Sequence, residues 1–119
     1  MKKVLVLVFC LFFFSGCSDD TKDYSVNYME AKEKIINENA VLLDVRTKDE
    51  YDNNHIDGAE LLTLDDITEE SIGKFVDSKD DVIIVYCQSG NRSNQALNLL
   101  NDLGYTEVYD LGSINNWEE

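Results

Sequence analysis

The residues from Cys87 to Ser93 carry the groups in this chain that are best suited to chemistry. Cys87 directly follows an uninterrupted apolar run, and Gly90 allows the next residues to turn tightly. A loop that leads into a helix presents unpaired backbone N–H groups, and the helix dipole adds partial positive charge. Such a loop binds anions and lowers the pKa of a thiol. The pattern therefore predicts that Cys87 acts as a thiolate nucleophile.

The other side chains of this loop admit two interpretations. Arg92 offers a permanent charge and a planar fork of donors, and Ser93 is expected to be the N-cap of the following helix. In the alternative, Ser89 and Asn91 are simple turn-forming residues, and Cys87 is a small buried hydrophobic residue. The fixed order of Cys, Gly, Arg and Ser between a strong strand and a strong helix favours the functional interpretation.

Strand-like and helix-like patterns alternate in the part of the chain that must position this loop. Residues 82–86 are β-branched or aromatic and apolar on both faces, which is typical of a central, covered strand. Leucines at helical spacing follow over residues 96–103. Shorter strands are predicted at residues 41–43 and 107–109. This alternation predicts a three-layer α/β/α fold with a mainly parallel central sheet.

Several shorter elements complete the predicted order. Capping boxes that begin at Asn27 and Thr47 each predict a helix, the first running to about residue 36. A small strand is expected over residues 61–64, and a weak helix over residues 69–76.

Length, composition and charge exclude several classes of protein. The 119 residues suit one domain, and 44% hydrophobic with 29% charged residues is a globular composition. Asp and Glu number 24 against 10 Lys and Arg, which gives a formal net charge of −14 and argues against nucleic-acid binding. The single His and the wide spacing of the three Cys argue against a metal site.

The first residues read as a targeting segment. Lys2 and Lys3 precede an apolar run over residues 4–14, which is shorter than the roughly 20 residues of a membrane-spanning helix. The following Ser-Gly-Cys resembles the lipobox of bacterial lipoproteins, and this resemblance implies that Cys17 is acylated. The alternatives are a plain signal peptide with an incidental Cys, or a short anchor that is not cut.

The lipoprotein interpretation divides the chain into a signal peptide (residues 1–16), a lipidated tether (residues 17–23) and one domain (residues 24–119). It implies an extracytoplasmic protein that a lipid alone anchors to a bacterial membrane. Cleavage before Cys17 would also remove Cys10 and leave Cys87 as the only free thiol. A lone thiol in an exported protein is either a buried filler or a reactive group.

The loop beginning at Cys87 also resembles the active-site loop of rhodanese-like sulfurtransferases. Other family signatures follow the same order: residues 42–46 with Glu50 and Tyr51, residues 55–59, and residues 112–114 with Trp117. Asp57 stands where the family usually has Pro, and Ser113 where a second Gly is usual. The resemblance covers residues 24–119 and implies the rhodanese-like fold.

The family resemblance implies a ping-pong sulfur transfer. The Cys87 thiolate would attack the outer sulfur of a donor such as thiosulfate or a protein persulfide, and a thiol or cyanide-like acceptor would then remove that sulfur. The loop that binds substrate and persulfide would comprise Gln88, Ser89, Gly90, Asn91 and Arg92, whose backbone N–H groups hold the persulfide anion. Arg92 would hold the donor anion or brace the loop. We expect a monomer that needs neither metal nor cofactor.

Three further polar residues are assigned supporting roles. Asp44 and Arg46 are expected to stabilise the structure, with Arg46 paired to Glu50. The alternative for Asp44 is a proton acceptor in the reaction. His55 is expected to be structural, because the motif around it is a structural one in the family.

Two other functions are compatible with these features of the sequence. The same fold serves phosphatases, but their loop is longer by one residue than the four residues between Cys87 and Arg92. The shorter loop favours a cradle for a single sulfur atom over one for a phosphoryl group. A non-catalytic binding module is the third possibility, and the presence of Cys87 argues against it.

Overall fold

The structure, a computed structural model, describes residues 23–118 and contains a four-stranded parallel sheet. The strands are β1 (Val41–Asp44), β2 (Glu60–Leu61), β3 (Val82–Cys87) and β4 (Glu107–Ser113), and the α-helices are α1 (Tyr28–Glu38), α2 (Lys48–Asn53), α3 (Glu69–Ile72) and α4 (Asn91–Asp102). The strands lie in the sheet in the spatial order β2-β1-β3-β4. The predicted parallel α/β architecture is confirmed.

Strand β3 occupies the predicted central position, between β1 and β4. Its residues Ile83, Ile84 and Val85 are fully buried, because helices and loops cover both faces of the sheet. The parallel register brings the carboxyl ends of three strands to one edge: Tyr86 is paired with Asp44, and Cys87 with Ser113. Residues far apart in sequence therefore meet where β3 ends.

Two apolar clusters lie on opposite faces of the sheet and give the fold its three layers. On one face, Leu97 and Leu100 of α4 pack with Ile72 of α3 against the sheet. On the other face, Ala31 of α1 packs with Tyr86 of β3. The amphipathic pattern of α4 thus fixes the helix that follows the loop at Cys87 firmly against the sheet.

Both predicted capping boxes are present. The Asn27 side chain accepts a hydrogen bond from the Glu30 N–H at 2.8 Å, and the Glu30 carboxylate accepts one from the Asn27 N–H at 2.9 Å. Thr47 and Glu50 form the same reciprocal pair at the start of α2. Helix α1 extends beyond residue 36 and ends where Asn39 adopts a left-handed conformation.

Two of the weaker elements are shorter than expected. The predicted helix over residues 69–76 ends at Ile72, and Gly73 is followed by turns. The predicted strand over residues 61–64 is a strand only at Glu60–Leu61, after which Leu64–Asp66 forms a 3₁₀ helix. Short elements depend on tertiary contacts more than on local pattern, so their bounds are the ones that the sequence predicts least well.

The predicted signal peptide and the lipidation site at Cys17 lie outside the described residues. Within residues 23–118, the helices all fall short of the length and apolar character needed to span a bilayer.

We predict that Leu100→Ala destabilises the fold by about 2–5 kcal/mol, because it leaves a cavity under α4. The adjacent Leu99 is 37% exposed and provides the matched control, since Leu99→Ala should change the free energy of unfolding by only about 0.5 kcal/mol. Urea denaturation of both variants measures the difference. Equal effects would contradict the packing described here.

Candidate active site

Cys87 is the last residue of β3, and its side chain is fully buried. Its Sγ atom accepts hydrogen bonds from the backbone N–H of Gly90 at 3.0 Å and from that of Ser93 at 3.3 Å. The chain achieves this by folding tightly back between the strand and helix α4. The structure therefore has the predicted contact between the Cys87 thiol and backbone N–H donors at the start of a helix.

The environment of Cys87 favours its ionised form. Burial raises the pKa of the thiol, but hydrogen bonds from Ser93, Gly90 and Ser89 outweigh burial and lower the pKa below its ordinary value. A thiolate held in this way is a nucleophile, and the same donors can stabilise a negative charge on a sulfur attached to it.

Helix α4 begins three residues earlier than the sequence suggested. Gly90 is the N-cap and has φ +100°, in the left-handed region that favours glycine. The expectation that Ser93 is the N-cap is wrong, because Ser93 is already the third residue of the helix. Its hydroxyl donates a hydrogen bond to the Gly90 carbonyl at 3.1 Å, while its N–H points to the Cys87 sulfur.

Arg92 braces the loop through an ion pair with Glu50 of α2. The two Nη groups of Arg92 donate to the two carboxylate oxygens of Glu50 at 2.7 and 3.0 Å. This two-point contact lowers the pKa of Glu50 to about 2. Of the two predicted roles of Arg92, the geometry fits that of a brace.

Arg46 has a different partner from the one expected. The prediction of an Arg46–Glu50 pair is wrong: Arg46 binds Asp44, which is only two residues away, with Nη2 and Oδ2 2.7 Å apart. Both side chains are buried, and the Tyr86 hydroxyl donates a further hydrogen bond to Asp44 at 2.7 Å. A buried carboxylate is stable only when it is paired and hydrogen-bonded, which suits a supporting role for Asp44.

Gln88, the residue after Cys87, is hydrogen-bonded through both its side chain and its carbonyl. The Gln88 side chain accepts a hydrogen bond from Arg46 at 3.2 Å, and the Gln88 carbonyl accepts one from the Ser113 hydroxyl at 2.7 Å. The Ser113 hydroxyl in turn accepts from the Asn115 N–H at 3.0 Å. The sequence alone assigns Ser113 no role, because its contact with Gln88 arises only when β4, which ends at Ser113, pairs with β3.

His55 and Trp117 line a depression on the α1 side of the sheet. The His55 ring stacks on Tyr51 at 3.7 Å between centroids. Its Nδ1 atom is 2.7 Å from the Tyr51 carbonyl, which can only accept, so Nδ1 carries the proton. These contacts fit the structural role expected of His55.

Among residues 23–118, no group of three or more His, Cys, Asp or Glu side chains is placed to hold a metal ion.

Comparison with protein families finds a match to the rhodanese-like domain over residues 28–119. The thiosulfate sulfurtransferase PspE of Escherichia coli (strain K12) is 36% identical over 72 residues, which cover 60% of this chain and 68% of that protein. The thiosulfate sulfurtransferase GlpE of Coxiella burnetii (strain RSA 331 / Henzerling II) is 31% identical over 94 residues, which cover 78% of this chain and 85% of that protein.

Solved structures agree with these relatives. A rhodanese with anions from E. coli aligns with a TM-score of 0.61 and 34% identity, over 65% of this chain and 89% of that chain. The human single-domain sulfurtransferase TSTD1 aligns with a TM-score of 0.67 over 81% of this chain and 96% of that chain, and at 23% identity it supports the fold alone. The family match spans most of the chain, and we conclude that the protein belongs to the rhodanese-like family.

Proposed function

We propose that this chain is a sulfurtransferase that carries sulfane sulfur on Cys87. In the first half-reaction, the Cys87 thiolate attacks the outer sulfur of a donor, a new S–S bond forms at Sγ, and the donor's own S–S bond breaks. The donor remnant leaves with the electron pair of that bond. A nucleophilic acceptor such as a thiol then removes the outer sulfur and regenerates the thiolate, which gives ping-pong kinetics.

The observation that carries this proposal is the pair of backbone N–H groups directed at the Cys87 sulfur. The Gly90 and Ser93 donors lie 3.0 and 3.3 Å from Sγ, at the start of α4. They are fixed by the backbone, so they need no rearrangement when negative charge is present on the sulfur. The same donors favour both the attacking thiolate and the terminal charge of a persulfide.

The peptide bond after Gln88 gives Ser113 an indirect part in this arrangement. In a planar trans peptide, the carbonyl and the following N–H point in opposite directions. The Ser113 hydroxyl holds the Gln88 carbonyl at 2.7 Å, which turns the Ser89 N–H toward the thiol side of the loop. The contribution of the Ser89 backbone to the lowered pKa of Cys87 agrees with this orientation.

The phosphatase alternative is less well supported. A phosphoryl group needs donors spread around three oxygens, whereas the Gly90 and Ser93 N–H groups converge on the sulfur of Cys87 itself. The donor fork of Arg92 is occupied by Glu50. A non-catalytic binding module would not need a thiol with a lowered pKa. The hydrogen bonds that lower the pKa of Cys87 therefore favour an enzyme over a binding module.

We also propose that the protein is an extracytoplasmic lipoprotein, anchored to a bacterial membrane through Cys17. The basic start, the apolar run over residues 4–14 and the Ser-Gly-Cys that follows support this location. The sulfur donor and acceptor would then be molecules on the outer side of the membrane.

We predict that Cys87→Ser abolishes sulfur transfer. Incubating the full chain with sulfane-sulfur donors, including thiosulfate and a thiol persulfide, should add one sulfur atom to the Cys87 peptide, as seen by mass spectrometry, and a reductant should remove it. Ser71→Ala, which alters a capping hydroxyl of α3 away from the site, is the control and should keep full transfer. Full transfer by the Cys87→Ser variant would contradict the mechanism. Cys87-dependent hydrolysis of an aryl phosphate without any sulfur transfer would favour the phosphatase.

We predict that Ser113→Ala raises the pKa of Cys87 by up to about 1, because the loss of one hydrogen bond frees the peptide that precedes Ser89. The pH dependence of alkylation at Cys87 measures this pKa. Ser113→Thr keeps the hydroxyl and should restore the low value. Ser71→Ala removes a capping hydroxyl at α3 instead and should leave the Cys87 pKa unchanged. An unchanged pKa in Ser113→Ala would show that Ser113 has no such part.

We predict that Cys17→Ala releases the protein from the membrane fraction or blocks its processing in bacterial cells. Fractionation and the mass of the purified product measure both effects. A Cys17→Ala protein that is processed and membrane-bound like the unaltered chain would contradict lipidation at this residue.

A further inference from the structure

A depression of about 450 Å³ lies between the segment that follows α2 and the turn that follows β4, and this volume suits a small molecule. On one wall, the Asn54 carbonyl accepts a hydrogen bond from Arg46, which also donates to the Gln88 side chain. On the other wall, the Asn115 N–H donates to the Ser113 hydroxyl, which itself donates to the Gln88 carbonyl. Both walls are thus connected to the residue that follows the reactive cysteine, and the depression borders the candidate active site.

Asp57 gives this depression a negative charge. It lines the depression at the position where the family usually has Pro, and its side chain is exposed. Among the described residues that line the depression there is no Lys or Arg. Arg46, which contacts one wall, is paired with Asp44, so its charge is already balanced. A depression with this charge favours a cation over an anion.

The neighbouring polar side chains offer acceptors to such a cation. His55 donates its Nδ1 proton to the Tyr51 carbonyl, so in the neutral ring the other nitrogen, Nε2, is an acceptor. The side-chain amides of Asn54 and Asn115 each carry a carbonyl oxygen that can also accept. A primary ammonium group has three hydrogens to donate and can use several acceptors at once.

The remaining lining of the depression is apolar. Trp117 is half-buried, and its ring contacts that of Tyr28 edge to face, with an interplanar angle of 89°. The buried Ile56 and the half-buried Ile114 lie beside it in the lining. Aromatic ring faces attract cations, and aliphatic side chains pack against alkyl groups. These surfaces suit a short apolar stem attached to the charged group.

We propose that this depression binds a small organic cation, which consists of a primary ammonium group on a short apolar stem. The ammonium group pairs with the Asp57 carboxylate, and the stem packs against Trp117 and Ile114. Two kinds of molecule carry this chemistry: an amine that binds by itself, and an aminothiol whose thiol takes sulfur from Cys87. The binding site does not depend on the proposed sulfur transfer, and only the aminothiol rests on it.

Trp117 is the single Trp of the chain, so its fluorescence reports on the depression. The full chain is titrated at constant ionic strength with butylammonium, with the neutral 1-butanol and with the anion butyrate. Butylammonium should change the fluorescence saturably, with a dissociation constant in the millimolar range, because so small a ligand makes few contacts. 1-Butanol and butyrate should bind more weakly.

A charge variant makes the test specific to this site. Asp57→Asn removes the charge and keeps the size of the side chain. It should weaken butylammonium binding roughly twofold to fivefold, which is the effect of one exposed ion pair, and leave 1-butanol binding unchanged. Asp102→Asn at the end of α4 is the matched control for the overall charge and should change the binding of neither compound.

A kinetic comparison distinguishes the two sources of the ammonium group. Cysteamine and its uncharged N-acetyl derivative serve as sulfur acceptors, and the ratio of their KM values is compared between the unaltered chain and Asp57→Asn. If the ligand is an aminothiol, the preference for cysteamine should fall roughly twofold to fivefold in the variant. An unchanged ratio, with butylammonium still bound, would identify a separate amine as the ligand.

The outcomes separate this inference from the proposed function. Fluorescence that does not respond to butylammonium, or that responds equally in Asp57→Asn and in the unaltered chain, would overturn the amine site while sulfur transfer by Cys87 would stand. Failure of every donor to add sulfur to Cys87 would overturn the proposed function and leave the amine site in place.

Discussion

The geometry of the candidate active site depends on the hydrogen bonds that two backbone N–H groups donate to the buried sulfur of Cys87. A charged sulfur away from water is unstable unless donors are held against it. Gly90 and Ser93 provide those donors only because the chain reverses within a few residues and enters α4 at once. The left-handed conformation of Gly90 and the apolar packing of α4 are the two features that keep this geometry in place.

Three contacts from distant parts of the chain hold the loop in that shape. Glu50 of α2 binds Arg92, Arg46 binds the Gln88 side chain, and Ser113 at the end of β4 binds the Gln88 carbonyl. The parallel sheet makes these contacts possible, because it brings the carboxyl ends of its strands to one edge. The same contacts, with the Arg46–Asp44 pair, occupy the donor groups of Arg46 and Arg92. The backbone N–H groups of Gly90 and Ser93 therefore provide the positive potential at the Cys87 sulfur.

Local features of the site could be predicted from the sequence, and long-range pairings could not. The apolar run of β3, the capping boxes and the Cys-to-helix loop are each encoded within a few residues. By contrast, Asp44 and Glu50 both act on Arg46 and on Arg92 in the folded chain, and the spacing of these residues in the sequence does not show that Glu50 binds Arg92. The sequence pattern places the start of α4 too late, because the helix begins at the left-handed Gly90 and not at the Ser93 hydroxyl. Ser113 lies 25 residues from Gln88, so its contact depends on strand register.

Titration of the Cys87 thiol tests the central claim most directly. The pH dependence of alkylation at Cys87 is followed in the native full chain and in the same chain unfolded in urea, by mass spectrometry of the peptide that contains Cys87. If the backbone N–H groups outweigh burial, the thiol must ionise at lower pH in the native protein than in the unfolded one. A native pKa equal to or above the unfolded value would contradict the account.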